Sequence, residues 1–159
     1  FKEVLNVKLS IDEMLIRMDE YALPKYRDEI TLKNGVAQYL SMLKSRGCSL
    51  NVLTASPHKM LDPCLKRNGI YELFDNVWSC DDFNTTKSDV GIYKHAVEKI
   101  GAKKCDTVFF DDNPVAVKTA SQAGLYTVGV YDESGRDFVG QLKENSDLYI
   151  ESCEGMDQI

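Results

Sequence analysis

No apolar run in these 159 residues approaches the ~20 that a membrane-spanning helix needs, which excludes a helical bilayer protein. The opening stretch FKEVLNVKLSIDEM alternates charge with apolar residues and lacks the uninterrupted apolar centre of a secretory signal. Basic residues are in deficit: 19 Lys and Arg face 25 Asp and Glu, a formal net charge of −6. Binding nucleic acid without sequence preference rests on basic side chains neutralising phosphates, so no nucleic-acid partner is expected. Cysteine is scarce and unpatterned. Cys48, Cys64, Cys80, Cys105 and Cys153 are odd in number and never spaced as CxxC, which reads as reduced thiols of a cytoplasmic protein with neither a disulfide frame nor a zinc site. There are two histidines, His58 and His95; neither shows a carboxylate or cysteine partner at ligand spacing, and both read as surface residues. Internal repeats, low-complexity tracts and linkers are also missing.

What remains is one globular domain of ordinary composition, 43% apolar and 28% charged. A chain of this size can bury roughly 70% of its unfolded surface. The segment 10–22 carries Ile11, Met14, Leu15 and Met18 at helical spacing, with Ser10 and Glu13 as a capping box. Pro24 marks a boundary. A helix over 35–46 stops at Gly47. SLNVLTA (49–55) reads as a buried strand, and Ser56-Pro57 as N-cap and first residue of a helix that Pro63 kinks or restarts. A weak strand at 76–80 precedes an amphipathic helix over 88–100, with Ile92, Ala96, Val97 and Ile100 inward and Gly101 as stop. DTVFFDD (106–112) is the strongest strand. Asn113-Pro114 caps the helix 115–123, and 126–131, 136–144 and 148–150 follow as strand, helix and strand. Strands alternating with helices through short connections predict an α/β fold with a parallel sheet covered on both faces. Ligands of such sheets sit beyond the carboxyl ends of the strands.

Three polar positions fall there. Thr54 ends the strand NVL, and its hydroxyl with the following backbone N–H groups could hold a phosphoryl oxygen; the plainer reading is a small residue closing a strand. Lys87 precedes a helix and would neutralise a carboxylate and a phosphoryl group if it turned inward, whereas an ordinary lysine there is solvated. Asp111 and Asp112 stand side by side at the tip of the strongest strand, where like charges raise each other's pKa unless a cation relieves them. Magnesium takes oxygen ligands of this kind. Capping the next helix would need only one side chain.

In that order, LNVLTAS, KSDVGIYKHAVEKIG and VFFDDNPVAVKTASQAG resemble motifs two, three and four of the haloacid dehalogenase superfamily. LPKYRDEITLKNGVAQYLSMLKSRG resembles the stretch leading from a helical cap into the core. The nearest likeness is to the subfamily of beta-phosphoglucomutase and phosphoglycolate phosphatase. The resemblance implies a three-layer α/β/α Rossmann-like core over 32–159, with 1–31 the end of an α-helical cap. It implies a magnesium-dependent phosphohydrolase acting on a small phosphorylated metabolite through an aspartyl-phosphate. Thr54, with Ala55 and Ser56 behind it, would bind the phosphoryl group. Lys87 would pair with nucleophile and phosphate, Asp112 would be the principal Mg2+ ligand, and Asp111 a direct or indirect one.

Three departures qualify this. The Asp-x-Asp of motif one is absent; Asp12-Glu13 is the only early match and lies on a helix. Since the family places that strand between those ending at Thr54 and Asp111, the nucleophile is expected outside this chain, which alone would be inactive. Ser88 stands where a proline is usual, and Ala116 where many relatives carry another acid. A phosphosugar mutase and a non-catalytic binding protein of the same fold stay open. A receiver domain is disfavoured, because its acidic pair precedes its lysine. Substrate and oligomeric state are not legible. Tyr21, Tyr26 and Arg27 fall in the expected cap, where substrate is selected. Asp81-Asp82 reads as solvated, Cys80 and Cys105 as small core residues, and Trp78 as a core aromatic.

Overall fold

The computed structural model describes residues 9–156. Helix α1 (Ile11–Pro24) begins on the expected capping box, Ser10 accepting from the Glu13 N–H while Glu13 accepts from the Ser10 N–H. It runs through Pro24 and passes into one π-helical turn, Lys25–Glu29. Its apolar stripe is not covered: Ile11, Leu15, Ile16 and Met18 are all more than half exposed. Just beyond the π-helical turn, the Ile30 carbonyl accepts from Asn68 at 3.0 Å and from Arg67.

Helix α2 (Val36–Ser45) starts from Gly35 in a left-handed conformation, φ 78°. A Cβ there would stand 2.5 Å from the backbone of Cys153 and Glu154, so only glycine lets the C-terminal segment lie against the start of α2. Strand β1 (Asn51–Thr54) is half-buried along its length, not buried as the sequence suggests; Leu50, just before it, is the residue that reaches the core. Helix α3 (His58–Arg67) is continuous through Pro63, so neither a restart nor a new turn occurs there. It begins one residue later than expected, with Pro57 rather than Ser56 at its N-cap. Strand β2 (Asn76–Ser79) leads through a 3-10 turn, Cys80–Phe83, towards α4 (Val90–Ile100), capped by Asp89 and closed by Gly101. Ile92, Ala96 and Val97 are buried as the periodicity predicts, and Tyr93 joins them at 1% exposure. Strand β3 (Val108–Asp111), α5 (Pro114–Gln122), β4 (Tyr126–Val130), α6 (Val139–Asn145) and β5 (Leu148–Ile150) complete the alternation.

All strand pairs are parallel, as the Rossmann-like pattern predicts. They fall into two groups: β1 pairs with β2, and β3 with β4 and β4 with β5. Among the described residues no ladder joins β1 to β3. That interruption lies where the family resemblance puts its first strand. Beside it, β3 leaves Val108 and Phe110 exposed at 49% and 37%, and Tyr39 of α2 meets the Phe110 ring edge-on at 6.1 Å. The two groups share one core of Cys80, Ile92, Tyr93, Val97, Ala120, Ala123 and Leu125, against which Leu53 of β1 and Phe109 of β3 both pack. Two other sequence expectations are corrected. Cys105 is exposed, in a 3-10 turn ahead of β3 rather than in the core, and Trp78 is only half-buried, edge-on to Phe83 at 5.7 Å. All five cysteines are free thiols. No helix among the described residues is long and apolar enough to cross a membrane.

Candidate active site

The end of β3 is a chain of charges. The Lys87 ammonium donates to Asp111 Oδ2 at 2.6 Å, with the Asp111 side chain only 7% and that of Lys87 23% exposed. Lysine therefore turns inward rather than staying solvated. The other Asp111 oxygen accepts from the Asn113 N–H at 2.8 Å. Lys87 is held from behind: Tyr93, buried in α4, places its hydroxyl 2.8 Å from the Lys87 carbonyl and 3.1 Å from that of Ala116. Burial pushes the Tyr93 hydroxyl far up, with the charge of Asp111 adding to it, so it stays a donor.

Asp112 is differently placed. Helix α5 needs no help from it, because Asn113 Oδ1 accepts from the N–H groups of Val115 at 2.9 Å and Ala116 at 3.4 Å. Of the capping explanation, in which Asp112 and Asn113 would both serve, Asn113 is borne out and Asp112 is not. The Asp112 side chain is 48% exposed and has no hydrogen-bonded partner among the described residues; its one ion-pair contact is Lys33 at 3.9 Å. Its carboxyl is raised above the ordinary range, first by partial burial and then by the charge of Asp111, with Lys33 opposing. Lys33 is anchored by Asp132 Oδ2 at 2.6 Å and the Tyr131 carbonyl at 2.7 Å. Asp132 is held down to about 2, chiefly by that hydrogen bond. An electron-rich carboxylate without a donor suits a hard cation, and magnesium can be held through one or two carboxylates with its other positions left to water and substrate. The described residues hold no cluster of three or more potential ligands, so the protein's share would be Asp112 with Asp111 beside it.

Thr54 lies at the carboxyl end of β1, as expected, but its Oγ1 accepts from the Ser56 N–H at 3.1 Å, forming a tight turn. Ala55 is exposed, and Ser56 Oγ lies 2.8 Å from the Tyr26 hydroxyl of the π-helical turn. No described contact joins Thr54, Ala55 or Ser56 to Lys87 or the acidic pair; the interruption of the sheet separates them. Arg27, a candidate anion-binding residue, pairs with its neighbour Asp28 instead.

His58 is partly exposed, in keeping with its surface reading, but it has the carboxylate partners that reading denied it. Its Nδ1 lies 2.9 Å from Asp62 and its Nε2 2.9 Å from Asp82, which also accepts from the Ser79 N–H at 2.9 Å. These two carboxylates, Asp62 first, raise the imidazole's pKa. The i,i+4 spacing to Asp62 was visible in the sequence and marks a helical side-chain pair. His95 is exposed, as expected. Cys80 is buried next to Lys87, and burial pushes its thiol up, which removes it as a nucleophile.

Sequence comparison bears on the family of the whole chain. The family model for haloacid dehalogenase-like hydrolases matches residues 3–124. Validoxylamine A 7'-phosphate phosphatase of Streptomyces hygroscopicus subsp. limoneus is 27% identical over 122 residues, 76% of this chain and 57% of that protein. Pyrophosphatase PpaX of Bacillus velezensis is 28% identical over 119 residues, 75% of this chain and 55% of its own length. The chain thus spans a little over half the length of these curated relatives. In structure, beta-phosphoglucomutase from Clostridium difficile superposes with a TM-score of 0.76 at 18% identity, covering 99% of this chain and 69% of that one, a likeness of fold. With three motifs in order on a parallel α/β core, and a family model covering most of its length, this chain belongs to the haloacid dehalogenase-like hydrolases.

Proposed function

We propose that this chain carries the phosphoryl-binding and metal-binding part of a magnesium-dependent phosphohydrolase that cleaves a small phosphomonoester through an aspartyl-phosphate. The observation that carries the reading is the division of labour at the end of β3. Asp111 is engaged by Lys87 and the Asn113 N–H, while Asp112 is left without a hydrogen-bonded partner although Asn113 already caps the helix. That arrangement has no structural use among the described residues, and it fits a cation.

In this reading Asp112, supported by Asp111, would hold magnesium, whose chemistry would be to neutralise charge on the transferring phosphoryl group. Lys87 presents a positive charge beside the same group, fixed by Asp111 and by the Tyr93 hydroxyl behind its carbonyl. Positioned charge of this kind stabilises the transition state without reorganising during the reaction. The Thr54 hydroxyl, whose oxygen accepts from the Ser56 N–H, would present its proton to a phosphoryl oxygen, with the Ala55 and Ser56 positions of the turn beside it. The nucleophilic aspartate would enter on a strand lying between β1 and β3, where the ladder is interrupted. Its attack on phosphorus would expel the substrate alcohol, which takes up a proton. Water would then release phosphate and regenerate the carboxylate. Residues 1–31, of which 1–8 lie outside the described residues, would form the end of the cap, and the protein would work in the cytoplasm.

Phosphate release from a panel of small phosphomonoesters by the intact protein, with magnesium and with chelator, tests the reading. Release that needs magnesium and collapses in Asp112→Ala is the expected result. Folded protein with metal that releases none from any substrate would overturn it in favour of a binding role. Phosphorus NMR on the same reactions shows whether the group passes to water or to a second sugar hydroxyl.

A further inference from the structure

Lys33 belongs to none of the three family motifs, yet it is one of two ammonium groups bracketing the acidic pair. Lys87 stands on the Asp111 side at 2.6 Å, and Lys33 on the Asp112 side at 3.9 Å. Lys33 is not there by chance of a mobile surface chain. Asp132, at the end of β4, holds it at 2.6 Å, and the Tyr131 carbonyl holds it at 2.7 Å. Two acceptors from the segment just after β4 thus fix a long, rotatable side chain whose ordering costs entropy. Lys33 precedes α2, and its side chain is 45% exposed.

We propose that Lys33 is a positioning residue that acts as a resident counter-cation of Asp112 and sets the protein's affinity for divalent metal by competition. This rests on the metal reading above and goes beyond it. A divalent ion taken up by Asp112 would face the Lys33 ammonium across one carboxylate, and the two repel. At a separation of ~5 Å in a water-like medium, partly screened by salt, that repulsion weakens metal binding roughly tenfold. The same ammonium faces Asp112 and Asp132 together when no metal is bound, and it retains Asp132 as its partner when metal arrives. The acidic pair thereby stays folded and hydrated at low magnesium and loads only when magnesium is plentiful.

The test measures binding, not turnover. Mg2+ is titrated calorimetrically into the intact protein, and Mn2+ is counted by electron paramagnetic resonance, for wild type, Lys33→Met, Lys33→Arg and Asp112→Asn. The expected pattern is roughly tenfold tighter binding in Lys33→Met, wild-type affinity in Lys33→Arg, and loss of the site in Asp112→Asn. A purely structural lysine would leave affinity unchanged or weaken it in Lys33→Met. Either of those results, with Asp112→Asn still abolishing binding, overturns this role while the metal reading stands. Binding that Asp112→Asn does not affect, or no binding by any variant, removes the metal reading and this inference together. Circular dichroism melts of each variant confirm that folded protein is compared.

Discussion

The most informative single atom to remove is the Tyr93 hydroxyl. Tyr93→Phe keeps the ring, which is 1% exposed and edge-on to Phe109 at 5.1 Å, so packing cancels between the two proteins. What is lost is one donor shared between two carbonyls, of Lys87 at 2.8 Å and Ala116 at 3.1 Å. Leaving a buried acceptor without its partner costs about 1–3 kcal/mol. The Ala116 carbonyl lies in the first turn of α5, where the helix offers it another donor, and the Lys87 carbonyl is only partly buried. About 1.5 kcal/mol is therefore the expected loss, within that range. With an m-value of ~2 kcal/mol/M, the urea midpoint falls by roughly 0.7 M. The same change frees the main chain carrying Lys87, so turnover should fall with KM little changed. A midpoint within about 0.2 M of wild type, with unaltered turnover, would refute the argument that this tyrosine holds the lysine in place.

Two further outcomes follow from local features. His58→Gln removes an imidazole whose pKa is raised by Asp62 and Asp82, from an ordinary value of 6.5. The charged form contributes stability that is complete below that value and is lost as pH rises through the higher folded one. The variant's deficit in urea midpoint should therefore be larger at pH 5.5 than at pH 9, and an equal deficit at both would show that the clamp is not ionic. Gly35→Ala places a Cβ at positive φ and 2.5 Å from the backbone of Cys153 and Glu154. A loss of roughly 3 kcal/mol or more is expected in denaturation, and one below about 1 kcal/mol would show that the C-terminal segment moves aside easily.

What could be read from sequence was what neighbouring residues decide. The capping box at Ser10 and the Asn113-Pro114 start of α5 involve partners within three residues, and both are formed as the sequence indicates. The apolar face of α4 followed its period, although Tyr93 was missed because an aromatic at that position gives no sign of being fully enclosed. Ser56 failed as an N-cap because its hydroxyl goes to Tyr26, thirty residues earlier, and no local rule sees that partner. The clamp on His58 was half legible: Asp62 stands at i+4, but Asp82 arrives from another element 24 residues on. Lys33 was invisible for the same reason, being anchored to a carbonyl 98 residues away. At the site itself, Lys87 and Asp111 do meet, whereas among the described residues no hydrogen bond or ion pair joins Thr54 to them.

Among the described residues no backbone ladder ties Thr54 to Asp111, and a strand seated between β1 and β3, as proposed above, would hold each of them one ladder spacing away. Hydrogen-bonded strands sit at a fixed spacing of ~4.8 Å, but Thr54 and Asp111 belong to groups joined through Leu53, Phe109 and the α4 side chains rather than through a described backbone bond. Interiors packed at crystal-like density transmit a change of one methylene. Enlarging or trimming Ile92, Tyr93 or Val97 would thus disturb the seat of such a strand through the shared core, without touching either polar strand end.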